Sequence, residues 1–357
     1  MLKNKFMPCD ICINNLRRKL FMLKNDFNML SYNQVIKYIK KNIIDHYAIY
    51  SDNVSDSSLY NLEHIVPVNV LCEGKRPDRN KININFEAVS DSHLIIPCGS
   101  DINYLRSNKA YGIFIKNRSE ALEKNIIIIN DNKIYNYPKI ISDKFRHLKK
   151  MSIEELNNLD DKNDMYLSEN MVQPPQKYYG DIARIVFYFY LMYGHNFMER
   201  PISKCKKVEL LPGEPWFMSS EKEKLKVFNY ENWSNFFFNH LNDYRKWAKN
   251  NISDREHKRN KNMIEHLGVA NIFIGYKNNK NEYIPSNSNI VEELFFGKSH
   301  DHNKYLEIEF LTLDKKKSLY YKNRVTKNKI LSTYTKQAYE MNKQSLDKQL
   351  SNCKCKK

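Results

Sequence analysis

The sequence predicts an α+β chain, because helix-like and strand-like patterns occupy separate stretches of it. Early in the chain, apolar residues recur three or four positions apart, at Tyr32, Val35, Ile36, Ile39 and Ile43. Between residues 62 and 112 the pattern changes to short apolar runs that end at prolines, which is typical of strands. A nearly uniform apolar stretch then runs from 182 to 193, as expected of a helix buried inside a domain.

The helix-like segments have recognisable ends. A capping box formed by Ser31 and Gln34 starts the first of them, and lysines occupy its polar face. Gly194 ends the apolar stretch, in the position that favours glycine after a helix. Further along, the patterns predict helices at 233–247 and 325–350 and a strand at 305–313.

Two short strands and a helix are predicted in the middle of the first half. The runs LEHIVP (62–67) and SHLIIP (92–97) have strand character, and a basic connection containing Gly and Pro separates them. Gly99 and Ser100 then open a helix in which Asn103 and Arg106, three positions apart, share one face. The predicted local order is strand, connection, strand, helix.

Composition predicts a folded, intracellular protein that binds polyanions. No stretch approaches the roughly 20 apolar residues that cross a bilayer, and charged residues interrupt the amino-terminal region where a signal peptide would be apolar. The net charge of +17 attracts polyanions, of which nucleic acid is the commonest in cells. An AT-rich genome would also explain the lysine and asparagine content, so both interpretations of the charge stay open. The sequence does not separate cytoplasm, nucleus and virion, and it identifies no protein partner.

The seven cysteines do not form the dense pattern of a disulfide scaffold. Two close pairs, Cys9 with Cys12 and Cys353 with Cys355, could together offer four thiolates to zinc. The pairs lie at opposite ends of the sequence and the second has an unusual spacing. Ordinary reduced thiols are the alternative interpretation.

The adjacent residues Glu63 and His64 are candidates for chemistry. A carboxylate can hold a hard cation, and an imidazole, which titrates near neutrality, can accept a proton from water. Neighbouring side chains alternate across a strand, so a shared site requires the pair to lie at a strand end or bulge. Asn103, 40 residues after Glu63, offers an amide oxygen to the same cation from the first turn of the predicted helix.

Four blocks of this sequence resemble the endonuclease I family, whose catalytic module belongs to the ββα-metal nucleases. Together they span about 60% of the chain, in the family's order, which is more specific than any single motif. The blocks are NLEHIVP (61–67), DSHLIIPCGSDINYLRSNKAYG (91–112), PPQKYYGDIARIVFYFY (174–190) and, more faintly, DREHKRNKNMIEHLGVANIFI (254–274).

The resemblance implies a role for each matching residue. His64 corresponds to the general base, and Glu63 and Asn103 correspond to ligands of a magnesium ion, for which manganese or another divalent cation could substitute. An arginine between the two strands, either Arg76 or Arg79, is implied to contact the phosphate. The resemblance further implies phosphate-binding or supporting roles for residues that also have simpler structural explanations: His93, Arg106, Asn108 and Arg184.

The resemblance also implies a domain organisation. A nuclease domain would span 1–275, with its ββα-metal core at about 60–115, the buried helix at about 181–193 and an insertion at about 195–230. Residues 276–357 would form a basic carboxy-terminal extension of unknown role. Around Leu267–Phe273 the sequence departs from the family's motif and lacks part of its polar character.

The function implied is metal-dependent, sequence-nonspecific hydrolysis of DNA, with RNA as a second substrate, to 5′-phosphate and 3′-hydroxyl ends. The alternative is an inactive nucleic-acid-binding or packaging protein that keeps the same scaffold. A structural protein whose charge is only compositional is a third interpretation.

Overall fold

The structure is a computed structural model, and it describes residues 6–26, 32–42, 48–50, 60–71, 88, 91–136, 148–193, 230–268, 270–287 and 289–310. These residues form two compact units, each assembled from separate stretches of the chain. The sheet unit comprises the described parts of Leu30–Val186 and Lys226–Arg255. The terminal unit comprises the described parts of Met1–Met29, Phe187–Leu225 and Glu256–Lys357.

Helices occur throughout the described residues. In chain order they are α1 Asp10–Asp26, α2 Tyr32–Asn42, α3 Val68–Leu71, α4 Ser100–Arg106, α5 Arg118–Glu123, α6 Ile153–Asn157, α7 Tyr179–Tyr193, α8 Tyr230–Phe236, α9 Leu241–Trp247, α10 Asp254–Leu267, α11 Ile290–Phe295 and α12 Asn303–Leu306. Side chains start several of them: a capping box of Ser152 and Glu155 begins α6, and Asn117 caps α5. Within the described part of the chain, no helix is both long and apolar enough to cross a membrane.

The strands form three sheets. In chain order they are β1 Tyr60–His64, β2 Ile95–Gly99, β3 Ala110–Tyr111, β4 Ile127–Asn130, β5 Lys133–Tyr135, β6 Lys149–Lys150, β7 Asp164–Leu167, β8 Met171–Gln173, β9 Gly275–Lys277 and β10 Tyr283–Pro285. Strands β1 and β2 pair antiparallel, as do β9 and β10. The remaining six form one sheet in the order β3, β8, β7, β4, β5, β6.

Helices α5 and α6 pack against the six-stranded sheet in the sheet unit. One apolar cluster combines residues of the sheet with residues of α5 and α6: Ile115, Ala121, Ile128, Met151, Leu156 and Tyr166. The guanidinium of Arg118 forms two bonds with the carboxylate of Asp164, at 2.7 and 2.9 Å, and so links α5 to β7. Strand β3 follows α4 after a short turn, which connects this sheet to the β1–β2 pair through one helix.

The terminal unit is held together by aromatic packing and by pairing of distant segments. The ring of Phe295 on α11 stacks on Phe187, with centroids 5.1 Å apart, and meets Tyr190 edge-on at 5.4 Å. The backbone of Met7 donates to the carbonyl of Phe295 at 2.9 Å. On α1, Lys19 Nζ donates to the carbonyls of Leu306 and Ile308. The amino-terminal segment is therefore a component of this unit's core.

The structure confirms the mixed α and β class. It contains a helix at α2, two strands within or beside the predicted runs, and a helix directly after β2. The strands are displaced from the runs 62–67 and 92–97: β1 ends at His64, and β2 begins at Ile95 and continues through Pro97 to Gly99. The segment 233–247 is helical in two pieces, α8 and α9, separated by a 3₁₀ turn at Phe238–His240. The six-stranded sheet was not foreseen.

The predicted strand at 305–313 is wrong over its first part. Residues Asn303–Leu306 form helix α12, because the carboxylate of Asp301 accepts a bond from the backbone of Asn303 at 3.0 Å and turns the chain. The hydroxyl of Tyr305 donates to Glu293, so its aromatic character serves packing between helices. Phe310 forms an isolated bridge with Asn278. The predicted helix at 325–350 lies outside the described residues, and so does the predicted insertion at about 195–230 except for its last residue, Tyr230, which begins α8.

Candidate active site

The β1–β2 pair and helix α4 position the residues that the sequence singled out. In the antiparallel register Glu63 lies opposite Ile96 and His64 opposite Ile95. Strand β2 ends at Gly99 and α4 begins at Ser100 without a connecting loop. The side chain of Asn103 on α4 donates from Nδ2 to the carbonyl of Leu62 at 3.0 Å, which holds its amide against β1 one residue before Glu63.

The carboxylate of Glu63 is buried, with 2% of the residue exposed. Arg106 Nη1 lies 2.8 Å from its Oε1, and the hydroxyls of Tyr50 and Tyr111 lie 3.4 Å from the same oxygen. The two tyrosine hydroxyls also form a hydrogen bond with each other. Arg106, Tyr50 and Tyr111 therefore all bond to the carboxylate through Oε1.

Arg106 links this carboxylate to the end of β1. The residue is only 1% exposed, and its guanidinium donates to the carbonyls of His64 at 2.8 Å and Ile65 at 2.6 Å. A planar guanidinium suits such a task because its donors are fixed in a fork. Arg106 thus fixes the backbone of the candidate base and the position of the candidate metal ligand together.

Burial dominates the electrostatics of this cluster. It raises the pKa of Glu63 to about 7, although Arg106 and the hydroxyls of Tyr111 and Tyr50 favour the charged form. Burial alone would lower the pKa of Arg106, but the neighbouring Glu63 carboxylate raises it above its ordinary value. Arg106 therefore stays charged, and Glu63 is the group whose charge changes near neutral pH.

His64 is the last residue of β1, which is the placement that a site shared with Glu63 requires. It is 9% exposed. His93 lies in the turn that leads into β2, where its backbone donates to the Asp91 carboxylate at 3.0 Å. The backbone of Ile65 donates to Leu94 at 2.9 Å and joins this turn to the end of β1.

The other residues of the predicted site are dispersed. Asn108 is exposed in the turn after α4. Arg76 and Arg79 lie outside the described residues. Arg184, in the first half of α7, donates to the carbonyls of Ala248 and Asn250 at 3.3 and 2.9 Å, and so satisfies backbone oxygens beyond the end of α9.

The position of the Arg184 guanidinium explains why residue 180 is a glycine. A side chain at Gly180 would place its Cβ 2.2 Å from Nη2 of Arg184, one helical turn later. The glycine therefore leaves space for the guanidinium.

Two tyrosines of this cluster were missed by the sequence analysis. Tyr111 falls in the block 91–112 that resembles the nuclease family, so its position beside the predicted helix was a usable signal. Tyr50 carries no such signal, because it reaches Glu63 only through the fold: the neighbouring residue Ile49 bonds to the carbonyl of Pro97 at 2.9 Å. No family model matches the chain, and no curated protein matches it.

Proposed function

We propose that this protein is a divalent-metal-dependent endonuclease of the endonuclease I type, with β1, β2 and α4 as its ββα-metal module. The observation that carries the proposal is the joint placement of Glu63 and Asn103. Asn103 uses Nδ2 to bind the carbonyl of Leu62, which leaves its Oδ1 as an acceptor beside β1. Glu63 binds Arg106 through Oε1, and its second carboxylate oxygen, Oε2, would bind the ion in this proposal.

The donor set fits magnesium or manganese. Both prefer oxygen ligands, and magnesium takes only one or two protein ligands when phosphate and water supply the rest. Glu63 and Asn103 would hold such an ion. The bound ion would supply Lewis-acid stabilisation of the charge that develops on the phosphate.

The protein's own residues perform the remaining steps in this proposal. His64, in its neutral form, accepts a proton from the water that attacks the phosphodiester. Arg106 keeps the end of β1 and the Glu63 carboxylate fixed, so that the imidazole and the ligand retain their relative position. Arg76 or Arg79 would bind a non-bridging phosphate oxygen.

The substrate proposed is DNA, with RNA as a second substrate, cut without strong sequence preference. The charge of +17 favours contact with the backbone, which carries no sequence information. Hydrolysis would leave 5′-phosphate and 3′-hydroxyl ends.

A second function, nucleic-acid binding without cleavage, is favoured by one observation. Glu63 is almost fully buried and already paired with Arg106, so its carboxylate also has a complete structural role. An inactive protein on this scaffold would keep Glu63 and Arg106 for folding alone. It would have no comparable need for His64.

The test uses plasmid nicking by wild type and by His64→Ala, with Mg²⁺ or Mn²⁺ and with or without EDTA. We expect nicking by wild type that EDTA abolishes, and a loss of about 100-fold or more in His64→Ala, the usual contribution of a general base. His266→Ala on α10 is the matched control, since it removes a histidine from the other unit. Nicking by His64→Ala at the wild-type rate would exclude His64 as the base. A wild type that binds DNA but does not cut it, whichever divalent ion is added, would favour the second function, nucleic-acid binding without cleavage.

A further inference from the structure

The amino-terminal end of α1 and the segment before α12 bring two cysteines and two histidines together. Cys9 Sγ lies 3.5 Å from Nδ1 of His302, and Cys12 Sγ lies 3.1 Å from the same nitrogen. Cys12 Sγ also lies 3.4 Å from Nε2 of His300. The four ligand atoms all lie within 4.8 Å of one another.

These distances match those between the ligands of a tetrahedral zinc ion. With Zn–S near 2.3 Å and Zn–N near 2.0 to 2.1 Å, tetrahedral geometry separates a sulfur from a nitrogen by about 3.5 Å. The three sulfur–nitrogen separations in the structure, 3.5, 3.4 and 3.1 Å, lie at or up to 0.4 Å below that value. Two thiolates and two imidazoles are also a ligand set that selects zinc over the harder magnesium ion.

Local structure presents the four atoms in a common direction. Cys9 directly precedes α1 and Cys12 lies in its first turn, so the two thiols, three positions apart, share one helix face. The helix amino terminus stabilises thiolate over thiol. The backbone of Cys9 is itself fixed, because it donates to the carbonyl of Leu294 at 2.7 Å.

A backbone carbonyl orients His300 for ligation as well. His300 Nδ1 lies 2.9 Å from the carbonyl of Lys298, and this bond places the ring proton on Nδ1. Nε2 then carries the lone pair, and Nε2 is the atom that faces Cys12. A backbone carbonyl that fixes the tautomer of a ligating histidine is a regular feature of zinc sites.

We propose that Cys9, Cys12, His300 and His302 form a structural zinc site that fastens the start of α1 to the segment before α12. With four protein ligands the coordination is closed, which distinguishes structural from catalytic zinc. The site joins segments almost 300 residues apart in sequence, so its ligands come together only in the folded chain, and the free energy of zinc binding would stabilise that fold. It lies wholly in the terminal unit and uses none of the residues proposed for phosphodiester hydrolysis.

Metal analysis of the full chain tests the proposal. We expect one zinc ion per chain after purification, and cobalt substitution should give the visible spectrum of a tetrahedral thiolate site. Stripping the zinc with a chelator should lower the melting temperature, and added Zn²⁺ but not Mg²⁺ should restore it. A wild type that holds no zinc after purification and binds none in titration would overturn the proposal, leaving four thiol and imidazole groups joined only by hydrogen bonds.

Variants then identify the ligands. Cys12→Ser and His302→Ala should each weaken zinc binding by more than about 100-fold, since loss of a ligand exceeds the 10 to 100-fold effect of losing an outer partner. His302→Cys, which keeps a ligand, should retain the metal. The matched control is the double variant Cys353→Ser with Cys355→Ser, which should bind zinc like wild type. Equal zinc affinity in Cys12→Ser and wild type, or loss of zinc in the control, would refute this ligand set.

Discussion

Replacing Arg106 with methionine provides the strongest test of the Glu63 cluster. The substitution keeps the approximate volume of the side chain but removes its charge and its donors. Glu63 would lose the ion pair at 2.8 Å, and the carbonyls of His64 and Ile65 would lose bonds of 2.8 and 2.6 Å. All these atoms lie in a region that water does not reach freely, because Arg106 and Glu63 are 1% and 2% exposed.

The expected cost follows from burial. Breaking a buried ion pair by removing one partner destabilises a protein by about 3 to 5 kcal/mol, and each lost carbonyl bond adds about 1 kcal/mol. The sum, about 5 to 7 kcal/mol, is comparable with the whole stability of many domains. Arg106→Lys keeps the charge without the fork of donors, so we expect a smaller loss of about 1 to 3 kcal/mol.

The assay is urea unfolding of wild type, Arg106→Met, Glu63→Gln and the double variant. Since Glu63→Gln removes the charge that Arg106→Met leaves unpaired, the double variant should recover about 2 kcal/mol or more relative to the sum of the single changes. The cost of Arg106→Met should also be larger at about pH 8 than at about pH 5. Without Arg106 the pKa of Glu63 rises further, so the folded variant takes up a proton as the pH falls and regains stability.

Lys124→Met is the matched control, because Lys124 pairs with Glu120 at the surface, with 55% of its side chain exposed. We expect no measurable change from it. An Arg106→Met protein that is no less stable than this control would refute the conclusion that the buried pair organises the site. Additive single and double variants would show that the two residues do not interact energetically.

Three further predictions concern pH, salt and the Gly180 contact. Because burial raises the pKa of Glu63 to about 7, protons should compete with the divalent ion for this carboxylate, and the Mg²⁺ concentration that gives half-maximal nicking should rise as the pH falls below that value. A half-maximal Mg²⁺ concentration that is independent of pH between about 5 and 8 would contradict Glu63 as a metal ligand. If the proposed DNA binding relies on the charge of +17, DNA affinity measured by fluorescence anisotropy should fall steeply and linearly on a log–log plot against salt concentration, and a flat plot would contradict backbone recognition. Gly180→Ala should displace the Arg184 guanidinium, because Nη2 would lie 2.2 Å from the new Cβ, and it should lower the free energy of unfolding by about 1 to 3 kcal/mol. The comparison variant Ala183→Gly changes the same helix without that clash. Equal melting temperatures for Gly180→Ala and wild type would show that Arg184 moves freely.

Local patterns predicted the elements around the candidate site well. Strands β1 and β2 and helix α4 each carry their own signal within a few residues: an apolar run, a proline, a glycine before a serine. The same is true of α7, whose apolar residues 182–193 need no partner to be recognised. The signals for these strands and helices come from residues that are neighbours in sequence, so a single sequence is enough to recognise them.

The unforeseen features depend on distant residues or on very short elements. Strands β3, β5, β6 and β8 have two or three residues each, too few to show alternation. The β4–β5 turn did carry a signal in the sequence, because Asp131 and Asn132 stand between two apolar runs and these residue types favour tight turns. In the structure Asp131 adopts the left-handed conformation that such a turn needs. Cys9 and Cys12 lie beside His300 and His302 only because of the fold. Each pair shows a short spacing in the sequence, but nothing there relates one pair to the other. The sequence therefore suggested Cys353 and Cys355 as the second pair of zinc ligands.

The discontinuous terminal unit has a consequence for synthesis and truncation. It joins the backbone of Cys9 to that of Leu294 and the ring of Phe187 to that of Phe295, so a ribosome must translate past residue 295 before the start of α1 meets its neighbours. The stretches that form the sheet unit are complete forty residues earlier, at Arg255. A chain cut at 275, the end of the nuclease domain expected from sequence, would lack α11 and α12. Such a fragment would expose the apolar side chains that those helices cover, and we expect it to aggregate where the longer chain stays dispersed.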